Sequence, residues 1–122
     1  MLPKNPKGDL NDLPENFWGI INCAAAPTHA EVVKHNKQRG LTHACLASIS
    51  FIDHGVGIIM DALKSSPHAD NTLIVLWSEH SFHLGEKQHW AKRTLWEEST
   101  RAPLLFARPG IAAGTICSEP AS

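Results

Sequence analysis

The sequence predicts an α/β fold with one long helix and parallel strands, and three observations support this prediction. Apolar residues between positions 41 and 63 recur at steps of three and four, which is the period of one helical face. The apolar run at residues 73–77 follows, and such runs are typical of parallel strands covered on both faces. One long helix and two short strands leave sheet edges open, which indicates an excerpt from a larger sheet.

The chain divides into an extended loop segment, residues 1–27, and an α/β unit, residues 28–122. Four prolines with nearby glycine, asparagine and aspartate disfavour regular structure in the first segment. Its first eight residues contain prolines and lysines instead of the apolar core of a signal peptide. The sequence therefore gives no localisation signal.

Two helices are expected next. Thr28 caps a short helix reaching roughly Gln38, because Glu31 lies three residues later in a capping-box arrangement, and Gly40 then interrupts. The long helix follows and ends near Ser65. Its buried stripe consists of Cys45, Ile49, Ile52, Val56, Ile59, Met60 and Leu63.

A polar, histidine-rich loop is expected between two strands. The first strand is the apolar run at residues 73–77, and a second short strand is expected at residues 103–107. The loop at residues 78–92 leaves the carboxyl end of the first strand, where open α/β sheets bind their ligands. We therefore expect ligand-binding or catalytic residues in this loop.

Charge and hydropathy exclude some partners. The 11 basic and 12 acidic residues give a net charge of −1, so the chain lacks the excess of positive charge that binds nucleic acid or an anionic membrane. No stretch approaches the roughly 20 consecutive apolar residues of a membrane span. We therefore expect neither nucleic acid nor membrane as a partner.

The loop carries a concentration of metal-binding side chains. Its carboxylates favour calcium, magnesium or manganese, and its imidazoles favour zinc or another transition metal. A solvated, hydrogen-bonded loop without metal remains an alternative. The donors are Glu79, His80, His83, Glu86 and His89.

Lys87 and Lys92 place cationic groups in the same loop. A lysine beside a metal is useful when both neutralise one anionic substrate, because charge developing on a sulfuryl or phosphoryl oxygen needs positive partners. Ordinary solvent exposure is the alternative for each lysine.

A linked series of motifs runs through the second part of the chain, at residues 47–53, 60–63, 69–72, 76–80, 83–92, 94–97, 101–104 and 109–110. In the same order, these motifs resemble the type I sulfatases of the alkaline-phosphatase-like superfamily, in particular bacterial and iduronate-2-sulfatase-like members. The resemblance covers about residues 28–120. It predicts a partial alkaline-phosphatase-like domain in which residues 28–122 belong to the catalytic domain.

The resemblance implies roles for three residues. Glu79 matches the aspartate ligand of calcium, His80 lies at the metal and sulfate site, and Lys92 matches the catalytic lysine that contacts the sulfate group. The implied reaction is hydrolysis of a sulfate ester by a formylglycine made from cysteine or serine, with calcium as cofactor. The implied substrate is a sulfated small molecule or saccharide, and family members are periplasmic, secreted or lysosomal.

Two departures from the family pattern bear on activity. Glu79-His80-Ser81 stands where the family has Asp-His-Gly, and the extra methylene displaces the carboxylate. The nucleophile motif Cys/Ser-x-Pro-x-Arg is absent, since Cys117 lacks proline and arginine at the required offsets. We therefore expect this chain to be inactive alone.

Two other functions stay open at this point. The chain could be a metal-binding or interaction module without catalysis, which keeps the histidine loop but no chemistry. It could also derive from a phosphodiesterase or phosphonate hydrolase of the same superfamily, since these enzymes also use a metal to bind an anionic substrate.

Overall fold

A computed structural model describes residues 2–21 and 26–119, and within these ranges the chain forms four α-helices and four short strands. The helices are α1 (Trp18–Ile21), α2 (His29–Lys34), α3 (Gln38–Lys64) and α4 (Glu97–Thr100). The strands are β1 (Ile74–Trp77), β2 (His83–Leu84), β3 (Trp90–Ala91) and β4 (Leu104–Ala107). Helical turns also occur at Glu15–Phe17, Ala69–Asn71 and Glu86–Gln88.

The predicted capping box of α2 is confirmed. The Glu31 amide donates to Thr28 Oγ1 at 3.3 Å, and the Thr28 amide donates to Glu31 Oε2 at 3.0 Å. The predicted interruption at Gly40 is wrong, because α2 ends at Lys34 and α3 runs through residue 40. The break is made instead by Asn36, whose φ of 52° lies in the left-handed region that ends helices.

Helix α3 is present as predicted, but its apolar stripe is not buried. No described residue of α3 is buried, and Ile49, Ile52 and Ile59 are 59%, 61% and 68% exposed. The other four residues of the stripe are half-buried, so the described elements cover only part of this face of the helix. An amphipathic pattern predicts which face can be buried, and burial itself requires a partner surface.

The expectation that no segment approaches a membrane span needs correction for α3. By length and composition this helix, and no other in the described ranges, is apolar enough to cross a membrane. A core helix of a soluble domain passes the same test.

The predicted parallel pairing is not confirmed, because β1 and β4 pair antiparallel. Ile74 lies opposite Ala107, and Trp77 lies opposite Leu104. Parallel neighbours need a crossover connection, usually a helix, of a dozen or more residues. Residues 78–103 instead contain a small hairpin and the four-residue α4, which return the chain beside β1 in the opposite direction. Both strands are also largely exposed, so the predicted cover on both faces is not seen.

A small core forms around the hairpin of β2 and β3. Its buried hydrophobic side chains among the described residues are Leu10, Val32 and Trp90. The N-terminal segment reaches this core, because Lys87 Nζ donates to Asp9 Oδ1 at 2.8 Å. This segment contains turns and the short helix α1 in addition to extended chain, so the expected loop is partly ordered into helical turns.

Candidate functional site

Three predicted site residues, Glu79, His80 and Lys92, meet at one point on the surface. His80 Nε2 lies 2.9 Å from Glu79 Oε1 and 2.5 Å from Lys92 Nζ. Lys92 Nζ lies 3.4 Å from Glu79 Oε1. We call these residues the Glu79–His80–Lys92 cluster. Its carboxylate, imidazole and ammonium groups all remain accessible to a ligand, since 77%, 32% and 44% of the three side chains are exposed.

The strand-end loop positions the first two members of the cluster. Glu79 and His80 follow β1 after one intervening residue, Ser78. The Ser78 amide donates to the Pro103 carbonyl at 3.2 Å, and the Ser78 hydroxyl donates to the His80 carbonyl at 2.7 Å. The loop is therefore tied to the start of β4 and to itself at the point where the site begins.

The contacts of His80 fix the orientation of its ring. Nδ1 lies 2.9 Å from the Ser81 carbonyl oxygen, which can only accept, so Nδ1 donates to it. Nε2 then faces both the Lys92 ammonium and the Glu79 carboxylate. The hydrogen bond from Lys92, and then its charge, hold the pKa of the Glu79 carboxyl below its usual range.

The backbone around Lys92 is strained. Ala91 and Arg93, its two neighbours, have φ values of 82° and 80°. Positive φ is costly for residues with a Cβ and is concentrated at functional sites. The surrounding fold must therefore fix the direction in which Lys92 leaves the chain.

A tight turn precedes Lys92 and depends on a glycine. Gly85 has a φ of 117°, and a Cβ there would lie 3.2 Å from Trp90 Cζ2. Lys87 and Gln88 also have positive φ, at 53° and 51°. The Gly85 amide donates to the His89 carbonyl at 3.0 Å, which closes the turn.

The remaining predicted donors do not join the cluster. His83 is fully buried, with Nδ1 3.2 Å from the Glu86 carbonyl oxygen and Nε2 2.9 Å from Thr94 Oγ1. Glu86 Oε2 accepts from the Leu84 amide at 2.7 Å. His89 is buried, and its Nε2 donates to the Lys92 carbonyl at 3.0 Å. The expected donor set thus splits into two surface residues and three structural ones.

Two residues in this region were not among the predicted site residues, although Thr94 lies in the matching segment at residues 94–97. Thr94 Oγ1 lies 2.9 Å from Ser99 Oγ, and both residues are buried. The resemblance at residues 94–97 could have directed attention to Thr94, whereas Ser99 belongs to no matching segment.

The cluster offers an incomplete set of calcium ligands. Calcium takes six to eight oxygen ligands, and a carboxylate such as that of Glu79 suits it well, whereas an imidazole nitrogen suits it less. In the part of the chain that the structure describes, no group of three or more His, Cys, Asp or Glu residues could hold a metal. The Glu79 carboxylate therefore has the chemistry of a calcium ligand.

The sequence of this chain is similar to those of known sulfatases. A family model described as Sulfatase matches residues 17–122. A sulfatase of Formosa agariphila is 41% identical over 118 residues, which are 97% of this chain and 23% of that protein. A choline-sulfatase of Rhizobium meliloti is 40% identical, covering 69% of this chain and 16% of its own length. An iduronate 2-sulfatase of Mus musculus is 38% identical, covering 62% and 14%.

This chain spans less than a quarter of the length of these three relatives. No solved structure matches it.

Proposed function

Because this chain belongs to the sulfatase family, we propose that it supplies part of an active site that hydrolyses sulfate esters. The observation that supports this proposal is the convergence of Glu79, His80 and Lys92 within 3.4 Å of one another. In this proposal residues 28–122 are part of the catalytic domain, and residues 1–27 are a loop segment that precedes it.

Lys92 is proposed to be the catalytic residue that binds the sulfate group. Hydrolysis of a sulfate ester increases the negative charge on the sulfuryl oxygens, and a preorganised ammonium stabilises that charge. Lys92 Nζ is partly exposed and is already held beside His80. The strained backbone on both sides of Lys92 limits the directions that its side chain can take.

His80 is proposed to bind the sulfate group next to Lys92. The Ser81 carbonyl accepts from Nδ1, which leaves Nε2 facing the cluster. When Nε2 takes up a proton, it can donate to a sulfate oxygen as Lys92 does.

Calcium is the proposed cofactor, with Glu79 as a ligand and His80 beside it. When bound, calcium supplies positive charge to the sulfate oxygens. Glutamate in place of the family's aspartate moves the carboxylate by one methylene, which calcium tolerates because its coordination geometry is flexible.

The nucleophile is proposed to be a formylglycine, and these 122 residues lack the motif from which it is made. The segment by itself therefore contributes binding and charge stabilisation without the attacking group.

The substrate is proposed to be a sulfated small molecule or saccharide. The relatives are named for choline and for iduronate, so their names share only the sulfate ester. The proposed contacts of the cluster in this chain are likewise with the sulfate group and not with the organic part of the substrate. Because these relatives are sulfatases, they do not favour a metal-binding module without catalysis or a phosphodiesterase.

Titration of the labelled chain with inorganic sulfate in calcium chloride tests this proposal by NMR. We expect saturable shifts of the Lys92 ε-methylene and His80 ring resonances. Lys92→Ala should abolish the His80 shift, whereas Lys64→Ala, which removes an exposed lysine of α3, should preserve it. Saturation by phosphate but not by sulfate would instead favour phosphate-ester chemistry.

A further inference from the structure

The two largest fully buried side chains in the described ranges are both imidazoles. His83 and His89 are 0% and 2% exposed, although the core around them contains few hydrophobic residues. Burying a polar ring costs free energy unless its nitrogens are hydrogen-bonded. Their burial therefore indicates that the ring nitrogens are hydrogen-bonded to neighbouring parts of the chain.

His89 holds the peptide that carries Lys92. Its Nε2 lies 3.0 Å from the Lys92 carbonyl oxygen, which can only accept, so Nε2 donates. Its own backbone closes the preceding turn, because its amide donates to the Glu86 carbonyl at 3.0 Å and its carbonyl accepts from the Gly85 amide. One residue thus ties the tight turn to the lysine three positions later.

His83 connects this arrangement to the other side of the cluster. Its ring meets that of His89 edge-on, with centroids 5.1 Å apart at 89°, and its Nε2 bonds Thr94 Oγ1 at 2.9 Å. Thr94 Oγ1 lies 2.9 Å from Ser99 Oγ, and the Ser99 carbonyl accepts from the Ser81 amide at 2.8 Å. Ser81 directly follows His80, so this buried row reaches two of the three cluster members, His80 and Lys92.

We infer that His89 is a positioning residue for Lys92, braced by the row of His83, Thr94 and Ser99. The residues on either side of Lys92 have positive φ, and relaxing either one to an ordinary value would turn the ammonium away from His80. The hydrogen bond from His89 to the Lys92 carbonyl opposes that relaxation. The functional importance of this role rests on the proposed sulfate site, while the contact itself is tested separately.

Two substitutions at residue 89 separate positioning from general packing. His89→Gln keeps an N–H that can donate to the Lys92 carbonyl, whereas His89→Leu removes the donor and keeps an apolar side chain. The matched control is His54→Leu, on the exposed surface of α3. Each variant is studied as the labelled full chain, at a concentration where sedimentation shows a monomer.

The first readout is the NOE between the Lys92 ε-methylene and the His80 ring. His89→Leu should weaken it about fivefold, the effect of losing one hydrogen bond, while His89→Gln and His54→Leu should retain it. The NOE between the Trp90 indole proton and the His29 ring reports whether the hairpin is still folded. Loss of the Lys92 contact in His89→Gln with the Trp90 contact intact overturns the inference, as does its full retention in His89→Leu.

The second readout is the affinity for inorganic sulfate in calcium chloride. We expect His89→Leu to bind about fivefold more weakly than the wild type, and His89→Gln to restore the affinity. If the wild type binds no sulfate but the NOE pattern is as expected, the proposed function fails and the positioning role stands. If sulfate binds equally to all variants with the Lys92 contact intact, the positioning role fails and the proposed function stands.

Discussion

The indole N–H of Trp90 donates a hydrogen bond to Nδ1 of His29 at 3.2 Å, although 61 residues separate them in the chain. Their rings lie nearly parallel, at 19°, with centroids 6.4 Å apart. This contact joins α2 to β3, the strand that leads directly into Lys92. The position of the candidate site therefore depends on a residue outside the histidine-rich loop.

Acidification should weaken the contact between Trp90 and His29. Burial lowers the pKa of His29 below its ordinary value of 6.5, and Nδ1 must be unprotonated to accept. The stabilisation is therefore fully present above pH 6.5 and is lost as the pH falls through the lower folded-state pKa. The shift of the Trp90 indole N–H, followed from about pH 8 to about pH 4.5 by NMR, measures this change.

His29→Asn provides the matched control, because an asparagine oxygen can accept from Trp90 and does not titrate in this range. A wild-type shift that is independent of pH, or an asparagine variant that follows the wild-type curve, would contradict the prediction.

Substituting Gly85 by alanine should loosen the turn before Lys92. The positive φ and the close approach to Trp90 should together cost about 1–3 kcal/mol. We expect faster hydrogen exchange of the residue 85 amide, which donates to the His89 carbonyl. Gly55→Ala is a control of opposite sign, since its Cβ would meet nothing within 4 Å and alanine favours a helix interior by about 1 kcal/mol. Unchanged exchange in Gly85→Ala would show that the turn tolerates a side chain.

The isolated chain should associate with itself and unfold without a sharp transition. Large apolar side chains are exposed on α3, β1 and β4, including Phe51 at 75% and Trp77 at 67%. Exposed apolar patches of this kind promote association. Sedimentation across a concentration series and calorimetry check this prediction. A monomer at all concentrations with one cooperative thermal transition would contradict it.

The isolated chain should also hydrolyse sulfate esters no faster than buffer. The physical reason is that it has no Cys/Ser-x-Pro-x-Arg motif from which to make the attacking group. A chromogenic aryl sulfate assay measures the rate. Turnover by the purified chain that disappears in Lys92→Ala would show that another nucleophile is at work.

Much of the secondary structure could be predicted from local signals. The capping box at Thr28, the periodicity of α3 and the apolar run of β1 each depend on neighbouring residues, and each element appears in the structure. The direction of strand pairing and the burial of α3 could not be predicted in this way. Both depend on which distant surfaces meet, and periodicity describes only one of the two surfaces.

The candidate site was predictable in part, and for a different reason. The resemblance to sulfatases singled out Glu79, His80 and Lys92, which the structure brings together. Spacing alone grouped His83 and His89 with them as ligands, yet both rings are buried. The turn between these two residues, which contains positive φ values, sets the direction of the His83 and His89 side chains. The spacing of the donors along the sequence does not predict that turn.

A crystal structure of the chain with sulfate and calcium bound tests the sulfate site most directly. We predict a sulfate oxygen about 2.8 Å from Lys92 Nζ, with His80 Nε2 also facing the anion. The Glu79 carboxylate should face the calcium ion. Sulfate bound away from Lys92, or the three side chains of the cluster pointing in unrelated directions, would contradict the proposed site.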